Sequence, residues 1–202
     1  MSVLEDKRSE TPFAVRDNAL DMRAQITELS FRRFGKRDRK IPKEPRNFDV
    51  WSEESRAKWK YQQAEKRMQQ EQFDNWFVNN ERTVLDEILR KIVFDIDRAN
   101  MINPQYIREC DDRRSLQNEA IGLCGNLKRE LSYIGRTIPA NKNFLAATTD
   151  IIDKEIALLR GWRKECNQIR DHVIQSEIQR RKTAAEKIGF ILDAEQLNMD
   201  KE

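Results

Sequence analysis

The sequence contains little glycine and little proline, six and five residues in 202. Tight turns are built largely from these two residue types, so a sheet protein with many turns needs more of both. What the sequence has instead is abundant Glu, Lys, Arg, Gln and Leu, which is the composition of long helices. We therefore predict an all-α fold.

Long hydrophobic runs are missing as well. The chain has no run of about 18 apolar residues and no charged segment followed by an apolar leader, so we predict neither a membrane span nor a secretory signal. Hydrophobic residues make up 38% of the chain and charged residues 36%, a balance typical of solvent-rich helical bundles. We expect a cytoplasmic protein.

Residues that commonly carry catalysis are scarce. His172 is the single histidine, which excludes a two-histidine metal helix, and its polar neighbours predict a solvated surface residue. Cys110, Cys124 and Cys166 form no C-x-x-C pair and fall on apolar helical stripes, so we predict reduced core cysteines. No glycine-rich phosphate loop occurs. We predict no catalytic residue, metal or cofactor, with a carboxylate site that uses a metal ion as the open alternative.

Apolar residues recur at helical spacing in four segments, near residues 12–34, 52–100, 104–134 and 143–176. They predict an antiparallel four-helix bundle within residues 1–176. Gly35 follows the first segment at the position of a left-handed helix cap. Residues 177–202 are predicted to be a charged tail, either a helical extension or a frayed end. The stripe of the first helix consists of Val15, Ala19, Met22, Ile26 and Leu29.

The predicted second helix has two unlike halves. It is almost entirely polar up to about residue 72, which makes a long polar helical extension, whereas residues 84–96 form a broad apolar face. Asn79-Asn80 marks a candidate break between the halves. Because the apolar face is broad enough to meet more than one neighbour, we predict that it also supports self-association.

Gly122 and Gly125 lie inside the predicted third helix, where a glycine costs about 1 kcal/mol relative to alanine. We interpret them as a small face over which a neighbouring helix approaches closely, and a ligand role is the weaker alternative. The burial of four apolar residues tests the bundle directly. These residues are Ile92, Ile121, Leu127 and Ile156.

The stretch FRRFGKRDRKIPKEPR, residues 31–46, concentrates positive charge. It holds eight Lys or Arg residues against Asp38 and Glu44, so it carries +6 in a chain of net charge +3. Phe31, Phe34 and Trp51 flank the cations, and alternating aromatic and basic residues suit a phosphate backbone with exposed bases. Further positive charge follows on the polar half of the second helix at Lys58, Lys60, Lys66 and Arg67.

We predict that this stretch, with the insert 35–51 between the first two helices, binds nucleic acid. A solvated basic loop is the alternative, since this is the usual role of a charge run. The predicted nucleic-acid-binding residues are Arg32, Arg33, Lys36, Arg37, Arg39, Lys40, Lys43 and Arg46.

Three strings suggest a family: the opening MSVLEDKRSE, RANMINPQYIRECDDRRSLQNEAIGLCGNLKREL at residues 98–131, and IIDKEIALLRGWRKECNQI at residues 151–169. Together they resemble the accessory variability determinant proteins of diversity-generating retroelements. The resemblance implies a non-enzymatic four-helix-bundle protein that forms a ring-like homo-oligomer, a pentamer. It further implies a basic surface that binds a reverse transcriptase and its RNA template and supports mutagenic reverse transcription. The polar segment 36–78 and the tail past residue 176 depart from the compact form of this family.

An adaptor bundle of a mobile element or phage is the alternative function. Such a protein would bind a protein partner and no nucleic acid. Its aromatic anchors would be Trp51, Trp59, Trp76 and Phe77.

Overall fold

A computed structural model describes residues 13–36 and 42–199, with side chains as far as residue 187. This part of the chain contains four α-helices and no strand, which confirms the predicted all-α class. Two short 3₁₀ turns, Arg33–Gly35 and Phe48–Val50, lie between the first two helices. The helices are α1 Ala14–Phe31, α2 Glu53–Met101, α3 Ile107–Thr137 and α4 Lys142–Met199.

The helices share one hydrophobic core, because α1 packs on α2 and α4, and α3 packs on the same two helices. Every residue of the stripe predicted for α1, from Val15 to Leu29, is buried. Ile92 and Leu127 are completely buried, and Ile121 and Ile156 are half-buried against the same core. None of the four residues chosen to test the bundle is therefore solvent-exposed.

α2 runs without interruption from Glu53 to Met101, so the proposed break at Asn79-Asn80 is wrong. The residues on either side explain the continuity, because Phe77, Val78 and Glu81 are buried and Phe77 packs on Tyr133 of α3. Residues 53–72 are almost entirely exposed. At 1.5 Å per residue they form a helical arm of about 30 Å that extends beyond the core.

The apolar face of residues 84–96 packs inside the chain, which corrects the prediction that it meets a second copy. Leu85, Leu89, Ile92 and Ile96 have at most 1% of their surface exposed. Phe94 is the large apolar residue of this range that points outward, with 57% exposure. The four buried side chains of this face are therefore covered by the chain itself.

Gly122 and Gly125 also differ from the prediction. Among the residues that the structure describes, a methyl group built on either α-carbon would meet no atom within 4 Å beyond the local helix backbone, so none of the described helices approaches them closely. Gly135 is the glycine of α3 that does so, because a methyl group there would lie 2.7 Å from the Leu145 side chain of α4.

The core contains a carboxyl group that the apolar pattern did not predict. Glu155 of α4 is completely buried, and the Asn18 side-chain amide of α1 donates a hydrogen bond of 2.7 Å to its Oε2 atom. The second oxygen, Oε1, has no hydrogen-bond partner among the described protein atoms. Burial raises the pKa of Glu155 to about 7.

Over the residues described, no helix combines the length and the hydropathy that are needed to cross a bilayer.

Candidate nucleic-acid interface

The basic stretch begins where α1 ends in an unusual backbone turn. Arg33, Phe34 and Gly35 all have positive φ, between 53° and 61°. Gly35 therefore occupies the left-handed region as predicted, and a side chain there would also meet Phe144 at 2.8 Å and Asn141 at 2.9 Å. Phe34 is completely buried by this turn. It is a core residue and cannot stack on a base, contrary to its predicted place beside the cations.

The turn is held by an arginine of α2. The Arg82 guanidinium donates to the Ser30 carbonyl at 2.8 and 2.9 Å and to the Phe31 carbonyl at 3.2 Å, which satisfies carbonyl groups at the end of α1. The same guanidinium lies 5.3 Å from the centre of the Phe31 ring, so one face of this exposed ring is covered.

Three of the predicted cations contact the protein itself. Arg32 pairs with Glu28 one turn earlier on α1, and Arg33 donates to the Asn75 side chain of α2. Lys36 forms an ion pair of 2.9 Å with Asp74, in which both side chains are largely buried. The contacts of Arg33 and Lys36 attach the start of the basic stretch to α2. The predicted residues Arg37, Arg39 and Lys40 lie outside the described residues.

The second part of the stretch folds back onto the start of α2. Asn47 adopts a left-handed conformation, and the chain then makes the 3₁₀ turn Phe48–Val50, in which the Val50 amide donates to the Asn47 carbonyl at 3.1 Å. The Ser52 hydroxyl caps α2 by accepting a bond of 3.2 Å from the Ser55 amide. The predicted helix start at residue 52 is therefore confirmed.

Phe48 organises this region. Its ring is buried and packs on Trp51 at 5.4 Å and on Trp59 at 5.1 Å between ring centres. The Lys60 ammonium lies 5.9 Å from the centre of the same ring. One buried phenylalanine thus brings an indole and a cation from the first turns of α2 together with the chain segment that carries Lys43 and Arg46.

We refer to Lys43, Arg46, Phe48, Trp51 and Lys60 as the Phe48 cluster. Its three cations are exposed, and no carboxylate lies within ion-pair distance of them in the described ranges 13–36 and 42–187. Trp51, which packs on the ring that Lys60 also contacts, exposes 36% of its surface. An exposed indole next to unpaired cations can stack on a base while the cations contact phosphates.

The proposed adaptor anchors lie in three different environments. Trp76 is 62% exposed, whereas Phe77 is buried against the core and cannot serve as an anchor. Trp51 and Trp59 pack on Phe48.

The cysteines lie in the core, as predicted. All three are buried and unbridged. Burial raises the pKa of the Cys110 thiol, and burial together with the nearby Glu155 carboxyl raises the pKa of Cys124 to about 12. These two side chains are therefore thiols rather than thiolates at neutral pH, which makes them poor nucleophiles.

Within the described residues, no three His, Cys, Asp or Glu side chains are grouped to hold a metal ion. His172 is exposed.

No family model, curated protein or solved structure matches this chain.

The sequence did not predict the contacts of two residues of the Phe48 cluster. Phe48 was not singled out, because its contacts join residues across a turn and follow no helical or strand period. Lys60 was noted only as part of a charged helix. The available signal in the sequence is the occurrence of three aromatic residues at positions 48, 51 and 59 among the cations Lys43, Arg46 and Lys60.

Proposed function

We propose that this protein is a non-enzymatic RNA-binding accessory protein that acts with a reverse transcriptase and its template RNA. The observation that carries the proposal is the Phe48 cluster, in which the Phe48 ring contacts both Lys60 and the partly exposed Trp51 indole, and the exposed cations Lys43 and Arg46 lie in the segment just before Phe48. The identity of the polymerase partner, and a role in mutagenic copying for a diversity-generating retroelement, rest on the resemblance of the sequence strings to the accessory variability determinants.

RNA suits this cluster for a physical reason. A phosphate backbone is attracted by several cations whose charge is not already neutralised by the protein, and Lys43, Arg46 and Lys60 meet this condition. Unpaired bases add stacking on an aromatic side chain, which is worth about 1 to 3 kcal/mol per base. Arg32, Arg33 and Lys36 serve a different purpose in this proposal, because they position the segment through contacts to Glu28, Asn75 and Asp74.

The proposed architecture is an antiparallel four-helix bundle that self-associates in the cytoplasm. The short connections 102–106 and 138–141 support the antiparallel order, because connections of this length return the chain beside the preceding helix. The Phe48 cluster lies at the N-terminal end of the arm formed by residues 53–72, the end farther along α2 from the core.

The proposal is tested with the triple variant Lys43→Gln, Arg46→Gln, Lys60→Gln and a fluorescein-labelled hairpin RNA that has an unpaired loop. We expect fluorescence anisotropy to show that the variant binds this RNA at least tenfold more weakly than the parent protein. Each phosphate contact that is lost reduces the number of counterions released on binding, and this release favours binding.

A matched control removes the same charge elsewhere. Arg180→Gln, Arg181→Gln, Lys187→Gln on α4 also removes three exposed cations. It should retain the parent affinity if the Phe48 cluster is the site. Equal weakening by both triple variants would show a diffuse attraction to net charge and would contradict the proposal.

A further inference from the structure

One exposed face of α2 differs from the rest of this charged surface. Seven outward positions between residues 61 and 83 recur at spacings of four, three, four, four, three and four, which places them on one side of the helix. All are exposed, and Glu65 is their only charged residue, in a chain that is 36% charged. We call them the neutral face: Tyr61, Glu65, Met68, Gln72, Trp76, Asn79 and Thr83.

Aromatic side chains extend the neutral face onto α3. Phe73 lies 6.0 Å from Trp76 and 5.9 Å from the buried Phe77, and Phe77 in turn contacts Tyr133 of α3 at 5.5 Å, all between ring centres. Phe73, Trp76 and Tyr133 are 44%, 62% and 51% exposed. Exposed Trp, Tyr, Phe and Met with few charges are the composition of the centre of a protein interface.

We infer that the neutral face binds the same face of a second copy of this chain, with Trp76 near a two-fold axis. This inference rests on the self-association within the proposed function and names the surface that carries it. Because both chains use the same face, this contact is complete in a pair of chains. It therefore predicts a dimer rather than the ring of five that the sequence resemblance implies.

The polar residues around Trp76 favour a second copy as the occupant. Near a two-fold axis each residue meets its own counterpart, so charged side chains would repel one another there. An amide both donates and accepts hydrogen bonds and can therefore pair with another amide. Gln69, Gln72, Asn79 and Asn80 surround Trp76 with exposed amides, and no Lys or Arg occupies the neutral face. The absence of cations also makes this face unsuitable for RNA.

The exposed arm formed by residues 53–72 also favours a second copy of the chain as the binding partner. It is a single helix exposed on nearly all sides, and most helices in proteins are stabilised by packing rather than by intrinsic propensity. Antiparallel pairing about Trp76 would place the arm of each chain along the neutral face and the following turns of its partner. Tyr61 and Met68, which are 71% and 57% exposed, would then be covered.

The available area is sufficient for a stable contact. Tyr61, Met68, Phe73, Trp76 and Tyr133 expose roughly half of their surfaces. At ~200 Å² for each large side chain, they contribute on the order of 600 Å² per chain. The neighbouring amides bring this close to the ~800 Å² that each partner buries in a standard interface.

Light scattering after size-exclusion chromatography tests the inference at micromolar concentration. The parent protein should have twice the 24.1 kDa mass of one chain. Trp76→Glu should have the mass of one chain, because it places two carboxylates near the axis and raises the dissociation constant of the dimer by roughly 100-fold. Circular dichroism should match the parent, since Trp76 is largely exposed. Ile178→Glu is the control, because it adds the same charge at an exposed apolar residue of α4.

A crosslinking experiment supplies a second readout. The native cysteines are buried, so Gln72→Cys introduces one accessible thiol close to the proposed axis. A short bismaleimide should link two Gln72→Cys chains and should not link two Glu186→Cys chains, whose thiols lie on α4. Failure to link Gln72→Cys, or equal linking of both variants, would contradict the inference.

Three mass results would overturn it. They are a parent protein that remains at 24.1 kDa, an oligomer that Trp76→Glu leaves intact, and an oligomer that Ile178→Glu disrupts equally. If the parent protein is a monomer and Trp76→Glu abolishes its binding to RNA, the neutral face binds RNA rather than a second copy. RNA binding that depends on the Phe48 cluster would survive any of the first three results, so the two proposals fail separately.

Discussion

Lys36 and Asp74 form an ion pair of 2.9 Å that joins the basic stretch to α2, and their side chains are only 12% and 1% exposed. This lysine therefore has a structural role at the junction of α1 and α2, although the sequence predicts it to be one of the nucleic-acid-binding cations. We predict that Lys36→Gln lowers the free energy of unfolding by about 2 kcal/mol, because the buried Asp74 carboxylate loses its ion pair with Lys36.

Urea denaturation measures this change. Lys43→Gln is the matched control, because Lys43 is exposed and should change stability by less than about 0.5 kcal/mol. If Lys36→Gln is as stable as the parent and binds RNA more weakly, Lys36 belongs to the nucleic-acid interface rather than to the junction.

Replacing glycine by alanine should raise the stability of the protein at two positions and lower it at a third. Gly122→Ala and Gly125→Ala should each stabilise the protein by up to about 1 kcal/mol, because nothing blocks the added methyl group and alanine favours the helix. Gly35→Ala should destabilise it, since the backbone there has φ of +61° and the methyl group would lie 2.8 Å from Phe144.

Thermal unfolding of the three glycine variants checks these directions. A large loss of stability in Gly122→Ala would mean that another chain packs closely on this face of α3.

Glu155 predicts a specific pH dependence of stability. Its pKa is raised from 4.5 to about 7 in the folded chain, so the folded protein keeps a proton that the unfolded chain releases near its ordinary value. Stability should therefore fall as pH rises from about 4.5 to about 7, by on the order of 3 kcal/mol from this group. Burial also raises the pKa values of Glu81 and Asp95, which act in the same direction.

The variant Glu155→Gln isolates this contribution. Glutamine keeps an oxygen that can accept the hydrogen bond from Asn18 and removes the ionisable group. The difference in unfolding free energy between variant and parent should increase between pH 5 and pH 8 in favour of the variant. A constant difference across this range would show that Glu155 titrates normally.

Arg82 should stabilise the end of α1 from a neighbouring helix. It donates to the Ser30 and Phe31 carbonyls and covers the Phe31 ring, so Arg82→Met should cost about 2 kcal/mol by leaving these partly buried carbonyls without donors. Hydrogen exchange should show faster opening of the last turn of α1. Arg90→Met on the same helix is the control, because Arg90 is exposed and forms a surface ion pair with Asp86.

Helical periodicity predicted the fold class and most of the core, because burial on one side of a helix repeats along the sequence. The stripe of α1 and the burial of Ile92 and Leu127 follow from it. Glu155 could not be predicted in this way, since its position on the stripe favoured an apolar residue and its partner Asn18 lies on another helix. The continuity of α2 depends on tertiary packing of Phe77 and Val78, which overrides the local preference of two asparagines.

The sequence predicted where the candidate site lies along the chain, but it did not predict which residues of that site are paired. Charge counting located the basic stretch, but it could not separate cations that pair with the protein from those that remain unpaired. That separation depends on contacts between distant parts of the chain, as between Lys36 and Asp74 or Arg33 and Asn75. The role of Phe48 depends on a backward fold of the chain onto α2, which leaves no periodic signal.

The central claim is that Lys43, Arg46 and Lys60 neutralise RNA phosphates, and the salt dependence of RNA affinity tests it most directly. A plot of the logarithm of affinity against the logarithm of salt concentration should be about 2 to 3 units less steep for the triple glutamine variant than for the parent, because each phosphate contact contributes about 0.7 to 0.9. The triple variant of Arg180, Arg181 and Lys187 should keep the parent slope. An unchanged slope in the Lys43, Arg46, Lys60 variant, with its fold intact by circular dichroism, would contradict the claim.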